Sequence, residues 1–138
     1  MEKYLLQMFI FYTIIFQTMS LSEAARWCLF SRRVTVHIVN QLPANTSPLF
    51  LRCQSKDNDL GKHALYYQPN EFTFSFCSGF TTLFFCHLRW NEKDISFDVF
   101  NSVGDCAKDN TCYYEARSDG IYFSQYYPPK DFTKVRDW

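Results

Sequence analysis

Hydrophobic and polar positions alternate with a period of two through most of the chain beyond residue 33, a pattern that predicts half-buried strands rather than helices. In residues 34–40, Val34, Val36 and Ile38 fall on one face, with Thr35 and His37 on the other. Residues 49–53 continue the habit and end at Cys53. An acidic turn then carries Ser55, Asp57, Asn58 and Asp59, whose side chains bond their own backbone and break ladders. Leu60 and Gly61 close that turn, Leu60 pointing inward and Gly61 permitting the reversal, and a strand over 63–67 runs to Pro69-Asn70. Phe72, Phe74 and Phe76 alternate with Thr73, Ser75 and Cys77, and residues 82–90 follow suit. A four-residue loop, 91–94, leads into a strand over 95–101. Pairing Trp90 with Ile95 sets Leu88 opposite Phe97, Cys86 opposite Val99 and His87 opposite Asp98, with Arg89 diagonal to Asp98. A second hairpin joins 112–116 to 121–125 through Arg117-Ser118-Asp119-Gly120, and the tail from Tyr126, with Pro128-Pro129, reads as irregular. About eight short strands with frequent turns predict an all-β fold, a small antiparallel β-sandwich.

The first 24 of the 138 residues do not share this pattern. Lys3 precedes an apolar run from Leu5 to Phe16, and Ser22-Glu23-Ala24-Ala25 supplies small residues, which predicts a secretory signal peptide cut after Ala24 and a mature domain over 25–138. Gln7, Thr13, Gln17 and Thr18 interrupt the run, so a membrane anchor is disfavoured. Removing Glu2, Lys3 and Glu23 from a neutral chain leaves a net charge of +1. With no basic block, the balance offers nothing to nucleic acid or to an anionic membrane. Secretion changes the reading of the six cysteines, Cys28, Cys53, Cys77, Cys86, Cys106 and Cys112: an even count in a small extracellular domain implies disulfides. Their spacing leaves the connectivity open and does not fit a zinc site. Asn45-Thr46-Ser47 is a glycosylation sequon, with Pro48 lowering its occupancy.

The segments Val36-His37-Ile38-Val39-Asn40, Phe72-Thr73-Phe74-Ser75-Phe76 and Thr82-Leu83-Phe84-Phe85-Cys86 appear in order along the chain. Between the first two lies Cys53-Gln54-Ser55-Lys56-Asp57-Asn58-Asp59-Leu60-Gly61; after them come Trp90, Phe97-Asp98-Val99, Cys106, Cys112 and Asp119-Gly120-Ile121-Tyr122. Together these resemble the plant self-incompatibility protein family, also called S-protein homologues, from about Val34 to Trp138. The turn holding Asp57, Asp59, Leu60 and Gly61 is the most specific part. The chain departs from the family pattern at Arg52, where a His commonly stands, and in having Cys28 and Cys77 beyond the usual four cysteines. The resemblance implies a framework of Cys53, Cys86, Cys106 and Cys112, leaving Cys28 and Cys77 to form a third bridge. It also implies a secreted, monomeric cell-to-cell signal without cofactor, recognised by a cell-surface membrane protein as in pollen rejection, with no membrane insertion of its own.

Three other chemistries compete with this reading. A secreted ribonuclease needs acid and base histidines around a phosphate, whereas His37, His63 and His87 lie in separate elements and no His-Gly-Leu-Trp segment occurs. A calcium loop counted from Asp57 meets Lys62 at its sixth and Gln68 at its twelfth position, which defeats the EF-hand pattern. A membrane-active defence protein needs clustered cations, and these are spread along the chain. For a ligand, loops 41–48, 54–60, 91–94 and 108–111 are the candidate contacts, the second architectural and the others specificity-bearing. Tyr66, Tyr67, Tyr113 and Tyr114 are candidate anchors, with half of them expected to face the core.

Overall fold

The computed structural model describes residues 1–24, 28–101 and 105–138, with side chains of the first helix described to residue 15. It divides into two units, residues 1–31 and 32–138. In the first, α1 (Glu2–Ala24) holds the apolar run. No helix among the described residues is long and apolar enough to cross a membrane. The cleavage expected after Ala24 borders residues 25–27, outside the described ones, as do residues 102–104 of the polar loop before Cys112.

The described residues of the second unit form nine strands: β1 (Arg33–Asn40), β2 (Leu49–Gln54), β3 (Asp59–Leu65), β4 (Asn70–Cys77), β5 (Leu83–Trp90), β6 (Lys93–Asn101), β7 (Thr111–Arg117), β8 (Gly120–Ser124) and β9 (Thr133–Arg136). They form a five-stranded sheet, β4-β1-β7-β8-β9, and a four-stranded sheet, β3-β2-β5-β6. The alternation seen in the sequence becomes the two inner faces. Val34, Val36 and Ile38 of β1 and Leu49, Leu51 and Cys53 of β2 are buried between the sheets. The Phe72–Phe74–Phe76 face of β4 closes one flank: Phe74 and Phe76 lie 5.2 and 4.4 Å from the Phe84 ring, and Phe76 meets Phe100 edge-on at 5.0 Å. Fully burying such a ring is worth roughly 1.5–3 kcal/mol; Phe84 and Phe100 are buried and the three β4 rings are partly buried against them, so the wall contributes to stability.

Four expectations need correction. One pair is not antiparallel: β1 runs parallel to β7, from Thr35 opposite Thr111 to Asn40 opposite Ala116. The β5–β6 hairpin is tighter than the expected four-residue loop, since Trp90 pairs with Lys93 across Asn91-Glu92. Asn91 takes φ 54°, a left-handed conformation that Asn tolerates. Leu88 therefore meets Ile95, Cys86 meets Phe97 and His87 meets Ser96, a slip of two residues that keeps every side chain on its face. Third, Gly61 does not make the reversal. It sits inside β3 at φ 81°, near the irregularity between Arg52 and Gln54, and residues 55–58 turn the chain.

The tail is the fourth correction. Besides supplying β9, it covers the outer face of the five-stranded sheet. Tyr127 stacks on His37 at 4.8 Å, Phe132 meets Tyr113 edge-on at 6.0 Å, and the Arg117 guanidinium sits 4.9 Å from the Phe132 ring. Ser124 closes this segment, its hydroxyl donating to the Lys130 carbonyl and accepting from the Tyr126 and Lys130 amides. β1 and β7 are consequently buried on both faces.

Candidate recognition surfaces

The candidate loops divide between the two ends of the sandwich. At the end where β1 finishes, loop 41–48 lies beside residues 66–69 and the hairpin turns at 91–92 and 118–119. Asn40 organises it: its side-chain amide donates to the Leu65 carbonyl at 2.9 Å while its oxygen accepts from the Leu42 amide at 2.9 Å. Trp90 Nε1 donates to the Thr46 hydroxyl at 3.3 Å, and Trp138 Nε1 donates to the Arg117 carbonyl at 2.6 Å. Between loop 41–48 and Tyr66, Tyr67 and Gln68 is a cavity of about 270 Å³. Asn45 stands exposed at the tip of the loop with φ 63°, accessible to a glycan.

Half of the four candidate tyrosines are expected to face the core, and only Tyr114 does. Tyr66 and Tyr67 lie just past the end of β3 and are 69% and 70% exposed. Tyr113 and Tyr114 are both buried. Tyr114 points between the sheets, whereas Tyr113 points outward and is covered by the tail, which pushes its hydroxyl up to about 12, through burial first and then Glu115 and Glu71. The burial of Tyr114 has a specific purpose. Val99 is skipped where the β5–β6 ladder shifts, and its carbonyl accepts from the Tyr114 hydroxyl at 2.9 Å.

The opposite end carries the acidic turn and loop 105–110. In the turn, the Ser55 amide donates to the Asn58 carbonyl at 2.7 Å and the Asn58 amide to the Ser55 hydroxyl at 3.1 Å. Asp59 accepts from the Gly61 amide at 2.9 Å and forms a two-pronged ion pair with Arg52. Those contacts, the Arg52 bond foremost, hold its carboxyl at about 2. Asp57 is exposed and makes no ion pair among the described residues. Leu60 is partly buried against the core. Cys53 and Cys86 are directly opposite on β2 and β5 and are bridged, which fixes the turn to the four-stranded sheet. A second bridge, Cys106–Cys112, closes the other loop. Arg32 anchors that loop by donating to the Cys106 carbonyl at 3.0 Å and to Asn110 Oδ1 at 3.1 Å. Among the described residues no cysteine is free.

A third surface, unforeseen in the sequence, is the outer face of the four-stranded sheet. A shallow groove of about 340 Å³ there is lined by Phe50, Arg52, Lys62, His63, His87 and Arg89, among others. His63 and His87 thus border one groove. Neither is poised as an acid–base couple: His63 Nε2 contacts the Leu60 carbonyl at 2.7 Å with its ring stacked on Phe72, and His87 Nε2 contacts Asp94. His37 lies on the other sheet beneath Tyr127.

Residues 35–138 match the family model described as plant self-incompatibility protein S1. The chain belongs to that family. S-protein homolog 2 of Arabidopsis thaliana is 42% identical over 81 residues, covering 56% of this chain and 48% of the relative. Self-incompatibility protein S1 of Papaver rhoeas is 30% identical over 121 residues, covering 82% of this chain and 81% of the relative. The match thus spans about half the length of S-protein homolog 2 and 58% of S-protein homolog 5, also of Arabidopsis thaliana. A solved structure of self-incompatibility protein homologues, a family of small, highly stable, secreted plant proteins, superposes with a TM-score of 0.55 at 15% identity, over 80% of this chain and 93% of that one. At that identity the likeness concerns the fold alone, which in this chain is a two-sheet, disulfide-bridged β structure.

Proposed function

We propose that this member of the self-incompatibility family is a secreted signalling ligand recognised by a cell-surface membrane protein, with residues 1–24 removed as a signal peptide. The observation that carries the reading is the match over 35–138 to a family whose poppy member is named a self-incompatibility protein. Supporting it is a rigid double sheet that presents loops at its ends, the arrangement on which variable recognition is usually built. The contact surface belongs at the end formed by loop 41–48, where exposed Tyr66 and Tyr67 flank the cavity and Tyr supplies anchoring area at low entropic cost. The turn of Asp57, Asp59, Leu60 and Gly61 serves as architecture, and an occupied Asn45 places a glycan beside the contact. Cys28 pairs with Cys77 in this proposal; a peptide map of the non-reduced protein that joins Cys28 elsewhere overturns it.

The test uses labelled secreted protein on pistil, pollen and vegetative plant cells. Saturable binding to one cell type, lost to competition by unlabelled protein and weakened about tenfold or more in Tyr66→Ala, Tyr67→Ala, supports the reading. Lysis of lipid vesicles instead favours the defence protein. That His63 and His87 both border a cationic groove, with the His63 ring turned inward onto Phe72, is the one observation favouring a ribonuclease, and RNA cleavage exceeding that of a His63→Ala, His87→Ala variant would establish it.

A further inference from the structure

The outer face of the four-stranded sheet carries its charges in an ordered array. Strand register places Lys62, Arg52, His87 and Ser96 in one cross-strand row, from edge strand β3 to edge strand β6. The next row is Ala64, Phe50, Arg89 and Asp94, and the row on the other side ends with Phe85 opposite Asp98. Cations therefore gather on β3, β2 and β5, while Asp94 and Asp98 flank Ser96 on β6. Like charges set side by side on a sheet cost stability. Arg52 is offset by Asp59, and His87 contacts Asp94, but Lys62 and Arg89 have no ion pair among the described residues. Phe50 is 40% exposed in the centre, its ring 5.4 Å from the Arg89 guanidinium.

This array is complementary to itself at its edges. A two-fold axis parallel to the strands, midway between β2 and β5, lays β3 of one copy over β6 of another and preserves the rows. Lys62 then falls over Ser96 of the second copy, between its Asp94 and Asp98, and Phe50 falls over its Arg89; Arg52 falls over its His87, the two being met within their own copies by Asp59 and Asp94, and every contact is repeated by symmetry. Asp59 falls over Asp98 of the second copy, and its charge is already met by Arg52. We infer that the open face of the four-stranded sheet is a docking surface for a second copy of this chain, packed sheet on sheet as a two-fold dimer. It replaces the monomer expected from the sequence and is independent of the receptor reading, since it leaves the loop ends exposed. Four strands about 4.8 Å apart and about 20 Å long offer about 400 Å² per copy, below the size of permanent interfaces, so the dimer is weak and concentration-dependent.

Sedimentation velocity of the secreted protein over about a hundredfold concentration range tests it, at low and high salt. The expected result is a mass rising toward twice the monomer at low salt and falling back at high salt. Lys62→Glu sets Glu against Asp, and Asp94→Lys, Asp98→Lys sets Lys against Lys. Each variant alone should dissociate on the order of tenfold more readily, with its unfolding midpoint retained as the folding control. Mixing the two variants restores opposite charge at both symmetric contacts, so the mixture should form heterodimer. A wild-type protein that stays monomeric throughout, or a mixture that stays monomeric, overturns the inference. Cell-surface binding by Lys62→Glu reports separately on the receptor reading.

Discussion

At the scale of single residues, Asp59 shows how a turn motif is held by charge. Its carboxylate accepts the Gly61 amide, which stabilises a left-handed glycine inside a strand, and meets Arg52 across the narrowing β2–β3 ladder. Both contacts favour the ionised form, so its pKa falls from the ordinary value to about 2. A lowered carboxyl pKa means that the contribution to folding is complete above the unfolded value, near 4, and fades as pH falls toward 2. Carboxyl-detected NMR should therefore find Asp59 titrating near the bottom of the accessible range. In Arg52→Ala the midpoint should rise toward the ordinary range, because the larger of its partners is gone. An unmoved midpoint would show that the Gly61 amide alone sets it.

At the scale of elements, the strands were legible because burial and alternation are the same fact stated twice. Val34, Val36 and Ile38, or Phe72, Phe74 and Phe76, leave little choice of face. Register was not legible, since a slip of two residues in the β5–β6 hairpin preserves every face and satisfies the apolar pattern equally. The deciding datum was local, the readiness of Asn91 to adopt a positive φ. The tail was illegible for a different reason: its order comes from His37, Tyr113 and Arg117, residues of distant strands. The acidic turn was found in sequence, but the groove on the four-stranded sheet was not, as it assembles from three strands at once. The irregularity in β6 gives a further prediction. Removing the hydroxyl in Tyr114→Phe leaves the buried Val99 carbonyl without its partner, which should cost about 1–3 kcal/mol in denaturant unfolding with little change of slope. Tyr113→Phe lacks such a partner and should cost less.

At the scale of the whole molecule, the bridges Cys53–Cys86 and Cys106–Cys112 constrain the unfolded chain unequally. Cys53 and Cys86 are separated by 33 residues, Cys106 and Cys112 by 6. Loop-closure entropy assigns about 4 kcal/mol to the first and about 2 kcal/mol to the second. Replacing each pair by serine and measuring unfolding and secreted yield should reproduce that order, with the Cys53→Ser, Cys86→Ser protein the poorer on both counts. The parallel pairing of β1 with β7 has a consequence in time rather than in energy. During synthesis Thr35 finds no neighbour on that side until Thr111 has followed it out of the translocation channel, and long-range pairings of this kind are slow to close. Loop 41–48 is therefore still part of an open chain when Asn45 passes the glycosylation machinery. A glycan on Asn45 would then be selected by the unfolded sequence, Pro48 included, before the cavity beside Tyr66 and Tyr67 exists.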